Sequence, residues 1–292
     1  MKPLRLGALA WPVGRPESVA AFVTRLDAWL EQARGRAEVC LLPEYTVMEL
    51  GAGLGATPGE AQSELAAVAA AAPDLLVALR ALAIHHKLWL LPGSLPIACG
   101  GKILNRAPLI APDGRMAWQD KLAMTRFEAE HWGLVSGAGP AVFDTPWGRL
   151  GISICYDAEF PKHVRAQVEA GAWLVLVPTC TDTMHGFNRV RFAAQARALE
   201  NQCFVALAPT VGEAPWSAAL DHNRGFAAVF GPIDRGFPED GVIARGALDS
   251  PGWVFAELDA ARIERVRREG AVLNHRDWPR APVATPQPAR FA

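Results

Sequence analysis

Gly148-Arg149-Leu150-Gly151-Ile152-Ser153-Ile154-Cys155-Tyr156-Asp157-Ala158-Glu159-Phe160-Pro161 is the stretch on which the reading of this chain turns. Leu150 to Ile154 is a short apolar run, long enough for a buried strand. Pro161 opens a helix-like stretch from Lys162 to Ala170. Cys155 therefore falls at a strand-to-helix turn. A sulfur held there lies near backbone N–H groups able to bind an oxyanion. Alone, a single cysteine reads more readily as a small buried apolar residue.

Two other segments change that balance. Val39 to Leu42 is an apolar run that ends in Pro43-Glu44-Tyr45, and a carboxylate at the mouth of a buried strand is costly unless it has a partner or a task. Arg115 to Gln119 reads as a strand and is followed by Asp120-Lys121-Leu122. A second glutamate, Glu128, comes seven residues after the lysine, and His131-Trp132-Gly133 follow. Singly, these charges would pass as solvated surface groups.

Together the three segments resemble the nitrilase, or carbon–nitrogen hydrolase, superfamily, which uses Glu, Lys and Cys in that chain order with a second Glu close by. The resemblance makes Glu44 the general base, Lys121 the steadier of the tetrahedral intermediate, Glu128 its companion and Cys155 the nucleophile. Asp144-Thr145-Pro146-Trp147-Gly148-Arg149-Leu150-Gly151 and Arg197-Ala198-Leu199-Glu200-Asn201 are also family-like, so the match covers nearly the whole chain. It implies an α/β protein built as a four-layer α-β-β-α sandwich with mixed sheets and the site at one sheet edge. True nitrilases usually follow the nucleophile with Trp-Glu. Tyr156-Asp157 here is like the amidase and carbamoylase branches, so hydrolysis of a small amide or carbamoyl compound is the expected reaction.

The chemistry requires these residue types. A thiolate attacks an amide carbon to form a thioester. A free thiol with a pKa of about 8.5 is mostly protonated at neutral pH and needs a base. Glu44 can take that proton, return it to the leaving amine and then activate water. Lys121, with the N–H of Tyr156, faces the developing oxyanion. Tyr45, Trp132, Tyr156, Glu159, Thr179 and Cys180 are the expected substrate-binding residues. Many ω-amidase-like relatives carry Arg at the position of Glu159, so a carboxylate there disfavours anionic substrates unless it is paired by Lys162, Arg165 or an arginine of the 188–201 segment. Three alternatives stay open: acyl transfer to an amine, nitrile hydrolysis, and a non-catalytic binding protein on the same fold.

A Cys-His hydrolase would need a histidine in a recognisable context, and His163 and His185, nearest Cys155, have none. His85 and His86 are adjacent, so their side chains are expected to diverge. No metal-ligand spacing and no phosphate loop appears; Gly51-Ala52-Gly53-Leu54-Gly55 reads as a loop near the site. No cofactor or metal is expected.

The remaining features fit an enzyme of small molecules. The 292 residues are 51% hydrophobic with a formal net charge of −1, which points to neither nucleic acid nor an anionic membrane. No uninterrupted apolar run reaches about 18 residues, so no membrane span is expected. Leu4 to Ala10, broken by Pro12 and Gly14, reads as the first strand rather than a secretory signal. Five cysteines without framework spacing suit a reducing cytoplasm. Cys40 and Cys203 read as core and Cys180 as a pocket residue.

Strand-like runs at Leu88 to Leu91, Leu104 to Ala111, Val142 to Asp144, Trp173 to Val177 and Phe204 to Ala208 alternate with helices. The helices are Val19 to Ala33, Gly59 to His86 interrupted at Pro73-Asp74, and Asn188 to Asn201. Ala111-Pro112-Asp113-Gly114 is a hairpin turn. Residues 1–274 read as one domain. Residues 275–292, rich in Pro, Ala and Arg, form a tail that the resemblance implies packs on a partner subunit in a homodimer or larger assembly.

Overall fold

The computed structural model describes residues 2–280 and Pro288. In chain order the elements are β1 (Leu4–Pro12), α1 (Val19–Ala33), β2 (Val39–Leu41), α2 (Ala61–His86), β3 (Trp89–Leu91), β4 (Leu95–Cys99), β5 (Lys102–Ile110), β6 (Met116–Asp120) and β7 (Leu134–Val135). There follow β8 (Val142–Thr145), β9 (Gly148–Ile152), α3 (Pro161–Glu169), β10 (Ala172–Thr179), α4 (Met184–Asn201), β11 (Phe204–Glu213), β12 (His222–Asn223), β13 (Ala228–Phe230), β14 (Val242–Arg245), β15 (Gly252–Leu258), α5 (Ala260–Glu269) and α6 (Asn274–Asp277).

Period-2 alternation splits the strand residues between two cores. Leu4, Leu6, Ala8 and Ala10 of β1, Val39 and Leu41 of β2, and Ala107 and Leu109 of β5 pack with Leu150, Ile152, Leu174 and Leu176 from the other half of the sheet. Leu9, Trp11, Cys40 and Ile110, on the opposite face, pack against α1 and α2. Successive side chains of a strand point to opposite faces, so one run feeds both cores. The hydrogen-bonded path runs β4-β5-β3-β2-β1-β11-β10-β9-β8. It folds over where β1 meets β11, at Trp11 opposite Thr210 and Pro12 opposite Val211. The result is the four-layer α-β-β-α sandwich, with parallel and antiparallel pairings mixed.

β2, β1, β11, β10 and β9 all run in one direction. Their carboxyl ends gather at one edge, where open α/β sheets place ligands. α1 buries Phe22, Leu26, Leu30 and Ala33, a stripe at helical spacing, and Ser18 caps it by accepting from the Ala21 N–H at 3.2 Å.

Several expectations need correction. α2 is one helix, not two: Pro73 lies inside it. The missing hydrogen bond costs about 3 kcal/mol, and burial of Leu65, Val68 and Ala72 before the proline and Leu75, Leu79 and Leu82 after it holds both sides in one axis. By length and mean hydropathy (1.8), α2 is the one described helix long and apolar enough to cross a membrane, yet this stripe packs on the outer face of the sheet. Gly51 to Gly55 is not a loop beside the site. It forms 3₁₀ turns in which a Cβ at Gly53 would fall 2.3 Å from the Pro16 carbonyl oxygen. The strands after Ala208 and helix α5 were not anticipated. Residues 275–280 pack on their own chain, with the His275 N–H donating to Gln202 at 3.2 Å and Trp278 under the Arg165 guanidinium. The expected contact of the tail with a partner otherwise falls outside the described residues.

Candidate active site

Three of the four predicted catalytic residues stand just past a strand end: Glu44 follows β2, Lys121 follows β6 and Cys155 follows β9, while Cys180, expected to bind substrate, follows β10. Glu128 sits on a π-type turn, Phe127–Trp132, a helix form common at functional sites. Cys155 adopts φ +47° and Tyr45 φ +58°. Such left-handed conformations are strained for residues with a Cβ, of order 1–3 kcal/mol, and persist where surrounding structure enforces them. Gly93 permits the close packing behind Glu44, since a Cβ there would fall 1.7 Å from the Pro43 carbonyl oxygen.

Lys121 lies between the two carboxylates. Its Nζ donates to Glu44 Oε1 at 2.8 Å and to Glu128 Oε1 and Oε2 at 2.7 and 2.6 Å. All three side chains are at most 2% exposed. Glu44 Oε2 accepts from the Cys180 N–H at 3.2 Å. Thr179 Oγ1 donates to Cys155 Sγ at 3.1 Å, and the thiol donates to the Cys180 carbonyl oxygen at 3.7 Å, on the residue whose N–H Glu44 holds.

The two carboxylates are pushed apart. Burial raises the Glu44 pKa, Lys121 draws it back and Glu128 raises it again, leaving it above the usual carboxylate range. Burial would raise Glu128 as well, but Lys121 and the Thr125 backbone N–H outweigh it and hold Glu128 below that range. Burial works against the charge of Lys121, yet Glu128 and Glu44 carry its pKa well above normal. Burial and the Glu44 charge push the Cys155 thiol well up. Titratable neighbours driven apart in this way mark which group moves the proton. The surroundings of Glu44 thus favour its protonated form, and those of Glu128 its charged form beside Lys121.

Cys155 opens on a cavity of about 590 Å³ lined in part by Tyr45, Trp132, Tyr156, Glu159 and Cys180. The chain has two tyrosines and both line it. Tyr45 donates to Glu128 at 2.7 Å and meets Trp132 edge-on at 5.8 Å. Thr179 is a correction: it has no surface on the cavity and is fully buried. It faces the sulfur from behind because β10 turns it inward while Cys180 takes the cavity side. The Cys180 thiol is pushed up to about 12 by burial and then by Glu44, and its Sγ donates to Asn223 Oδ1 at 3.5 Å. Glu159 lines the cavity with Arg189, whose Nε lies 3.6 Å from its Oε1.

Four positioning residues escaped the sequence reading. Buried Asn105 of β5 donates to Glu44 at 2.9 Å and to Glu128 at 3.3 Å. Its signal was a polar residue inside an apolar strand. Thr125 donates to Glu128 Oε2 from both its N–H and its hydroxyl, each at 2.9 Å. Asp157 accepts from the N–H groups of Leu122 and Ala123, the two residues after Lys121. Glu64 of α2, 2% exposed, accepts from the Ser217 hydroxyl and the Ala218 N–H, the latter at 2.7 Å. It thereby anchors the loop that brings Ala218 and Ala219 to the cavity.

The chain is similar to known proteins over nearly its whole length. The family model for carbon–nitrogen hydrolases matches residues 7–268. A probable hydrolase of Bacillus subtilis, YhcX, is 30% identical over 278 residues, covering 94% of this chain and 53% of that protein, so the chain spans about half its length. The deaminated glutathione amidase of Synechocystis sp. is 30% identical over 211 residues, 68% of this chain and 74% of that protein. Among solved structures, the amidase of Nesterenkonia sp. AN1, with an acetamide moiety joined covalently to its active-site cysteine, superposes with a TM-score of 0.71. It is 25% identical, covering 95% of this chain and 97% of that one. The chain belongs to the carbon–nitrogen hydrolase family, whose relatives here are named hydrolases and amidases.

Proposed function

We propose that this carbon–nitrogen hydrolase cleaves the C–N bond of a small primary amide or carbamoyl compound through a thioester on Cys155. The observation that carries the reading is the placement of the Cys155 thiol at a cavity wall, with its Sγ on the Cys180 carbonyl and Glu44 on the N–H of that same residue, while Glu44 shares Lys121 with Glu128.

The amide carbonyl carbon enters above Sγ. Sγ attacks as its proton passes to Glu44, and the C=O pair moves onto oxygen. The oxyanion is met by a Lys121 N–H and by the Tyr156 N–H, which lies at the first turn of a 3₁₀ helix, where backbone donors lack intrahelical partners. The tetrahedral adduct collapses, the C–N bond breaks, and the Glu44 proton leaves with nitrogen as ammonia. Water then gives a proton to Glu44 and its oxygen to the thioester carbon. The C–S bond breaks, the acid departs, and the thiol regains its proton. One amide and one water give one acid and one ammonia, and Glu44 ends as it began.

A screen over primary amides, carbamoyl compounds and nitriles, reading released ammonia, tests this. The expected result is turnover of amides that Cys155→Ala abolishes, with an acyl mass added to Cys155 in quenched samples. Turnover retained in Cys155→Ala, or an acyl group on Cys40 or Cys203, overturns it.

A further inference from the structure

We propose that Asp27, His85 and His86 bind a divalent transition-metal ion of the zinc class, with Glu31 supporting one ligand. None of these residues lines the catalytic cavity; they lie where α1 crosses the end of α2.

Asp27 and Glu31 are one turn apart on α1, so they share a face. His86, in the last turn of α2, enters between them with its side chain 1% exposed. Its Nε2 lies 2.7 Å from Asp27 Oδ1. Its Nδ1 has no hydrogen-bond partner and lies 3.7 Å from Glu31 Oε2. His85 does not point away as adjacent helical residues were expected to. Its ring stands edge-on to that of His86, with centroids 4.9 Å apart. One nitrogen from each ring and one Asp27 oxygen lie within 4.8 Å of one another.

Two imidazole nitrogens and a carboxylate oxygen form a donor set that suits zinc, cobalt or nickel, with water completing the shell. Bond lengths of about 2.0–2.2 Å require the set to close inward slightly, which exposed His85 and half-exposed Asp27 can do. Glu31 stands 3.7 Å from the ring nitrogen turned away from the ion, where a closure of less than about 1 Å would let it accept from that N–H as carboxylates do in carboxylate–histidine–metal relays. The negative end of the α2 dipole favours a cation here as well. A bound ion would clip α1 to α2 and so brace the helical layer behind β2 and Glu44.

The test uses full-length, tag-free protein carrying Cys99→Ala, Cys155→Ala and Cys180→Ala, which removes the exposed thiol and both cavity thiols as competing ligands. Zn²⁺ is titrated calorimetrically, and Co²⁺ is followed by its visible absorption. The expected result is one equivalent bound. His85→Ala, at an exposed position that leaves the core intact, should weaken binding at least about tenfold, and Glu31→Gln about tenfold. Zn²⁺ should raise the Tm of the parent over that in EDTA but not the Tm of His85→Ala. Absence of one-equivalent uptake, or equal affinity in the parent and His85→Ala, reduces the cluster to a hydrogen-bonded His86–Asp27 tie and overturns the proposal.

Discussion

The Asp157 carboxylate accepts from the Ala123 N–H at 2.7 Å, and through this bond the turn that carries Cys155 holds the segment that carries Lys121. Asp157 is two residues past the nucleophile and Ala123 two past the lysine, so a single carboxylate sets the spacing of the two groups. Burial raises the Asp157 pKa from 3.8 to about 6, against the pull of the Ala123 N–H and Lys121. With a folded-state pKa above the unfolded one, its contribution to stability is fully present below 3.8 and is lost as pH rises through about 6. Asp157→Asn should therefore flatten the stability curve between pH 4 and 6 by on the order of 2 kcal/mol. It should also lower kcat, because Oδ1 alone then accepts from both N–H groups and the hold on the Lys121 segment weakens. Urea titrations across that range check the first point, and unchanged pH dependence in the variant would refute it.

Glu44 must be ionised to accept the thiol proton. Burial raises its pKa above 4.5, so the acid limb of kcat/KM should lie above that of an ordinary carboxylate. Glu44→Gln should lose at least about 10²-fold in kcat. Its folded structure should persist, since Gln still offers an oxygen to Lys121. A pH–rate profile paired with single-turnover kinetics measures both effects; near-wild-type turnover would remove Glu44 from the mechanism.

Lys121 is the cation of a buried Glu44–Lys121–Glu128 triad, so its loss leaves two carboxylates in a dry site. Lys121→Ala should cost about 3–5 kcal/mol of stability in addition to activity. Adding Glu128→Gln should recover part of that stability but no turnover, because the pair acts as a unit. Denaturant midpoints of the two single variants and the double variant decide; strictly additive losses would mean that the groups do not communicate.

The cavity lining includes Glu159 beside Arg189, and Asp182 and Asp221 as further carboxylates. The Arg189 side chain is 63% exposed, so its pairing screens Glu159 only weakly. Amides with neutral or amine ends should be preferred to matched carboxylates. Glu159→Gln should narrow that ratio by roughly fivefold, the worth of about 1 kcal/mol near water. Comparison of kcat/KM over the three amides tests it. A preferred carboxylate, or an unchanged ranking, would assign the recognition role to Arg189.

Glu64→Gln should act on binding rather than chemistry. The substitution turns an amide group toward the Ala218 N–H and loosens the loop that walls the cavity. KM should rise several-fold with kcat nearly constant, and the 214–221 segment should become the first site of limited proteolysis. A change confined to kcat would contradict this.

Much of this protein was legible without a structure. Glu44, Lys121 and Cys155 each follow a strand-like run visible in local sequence, and the family resemblance of their combined contexts, with Glu128, gave the four their roles. Alternating strand-like and helix-like runs implied an α/β protein with a mixed sheet, and the family resemblance implied the four-layer sandwich. Tertiary structure alone decided how the site is held. Asn105 meets Glu44 across 61 positions and Ser217 meets Glu64 across 153, and such convergence leaves no periodic trace. The same holds for Pro73, carried inside α2 by packing on both sides, for Thr179, turned behind the thiol, and for the paired rings of His85 and His86. Sequence records local preference and polarity; the partner that satisfies each buried polar group is chosen by the fold.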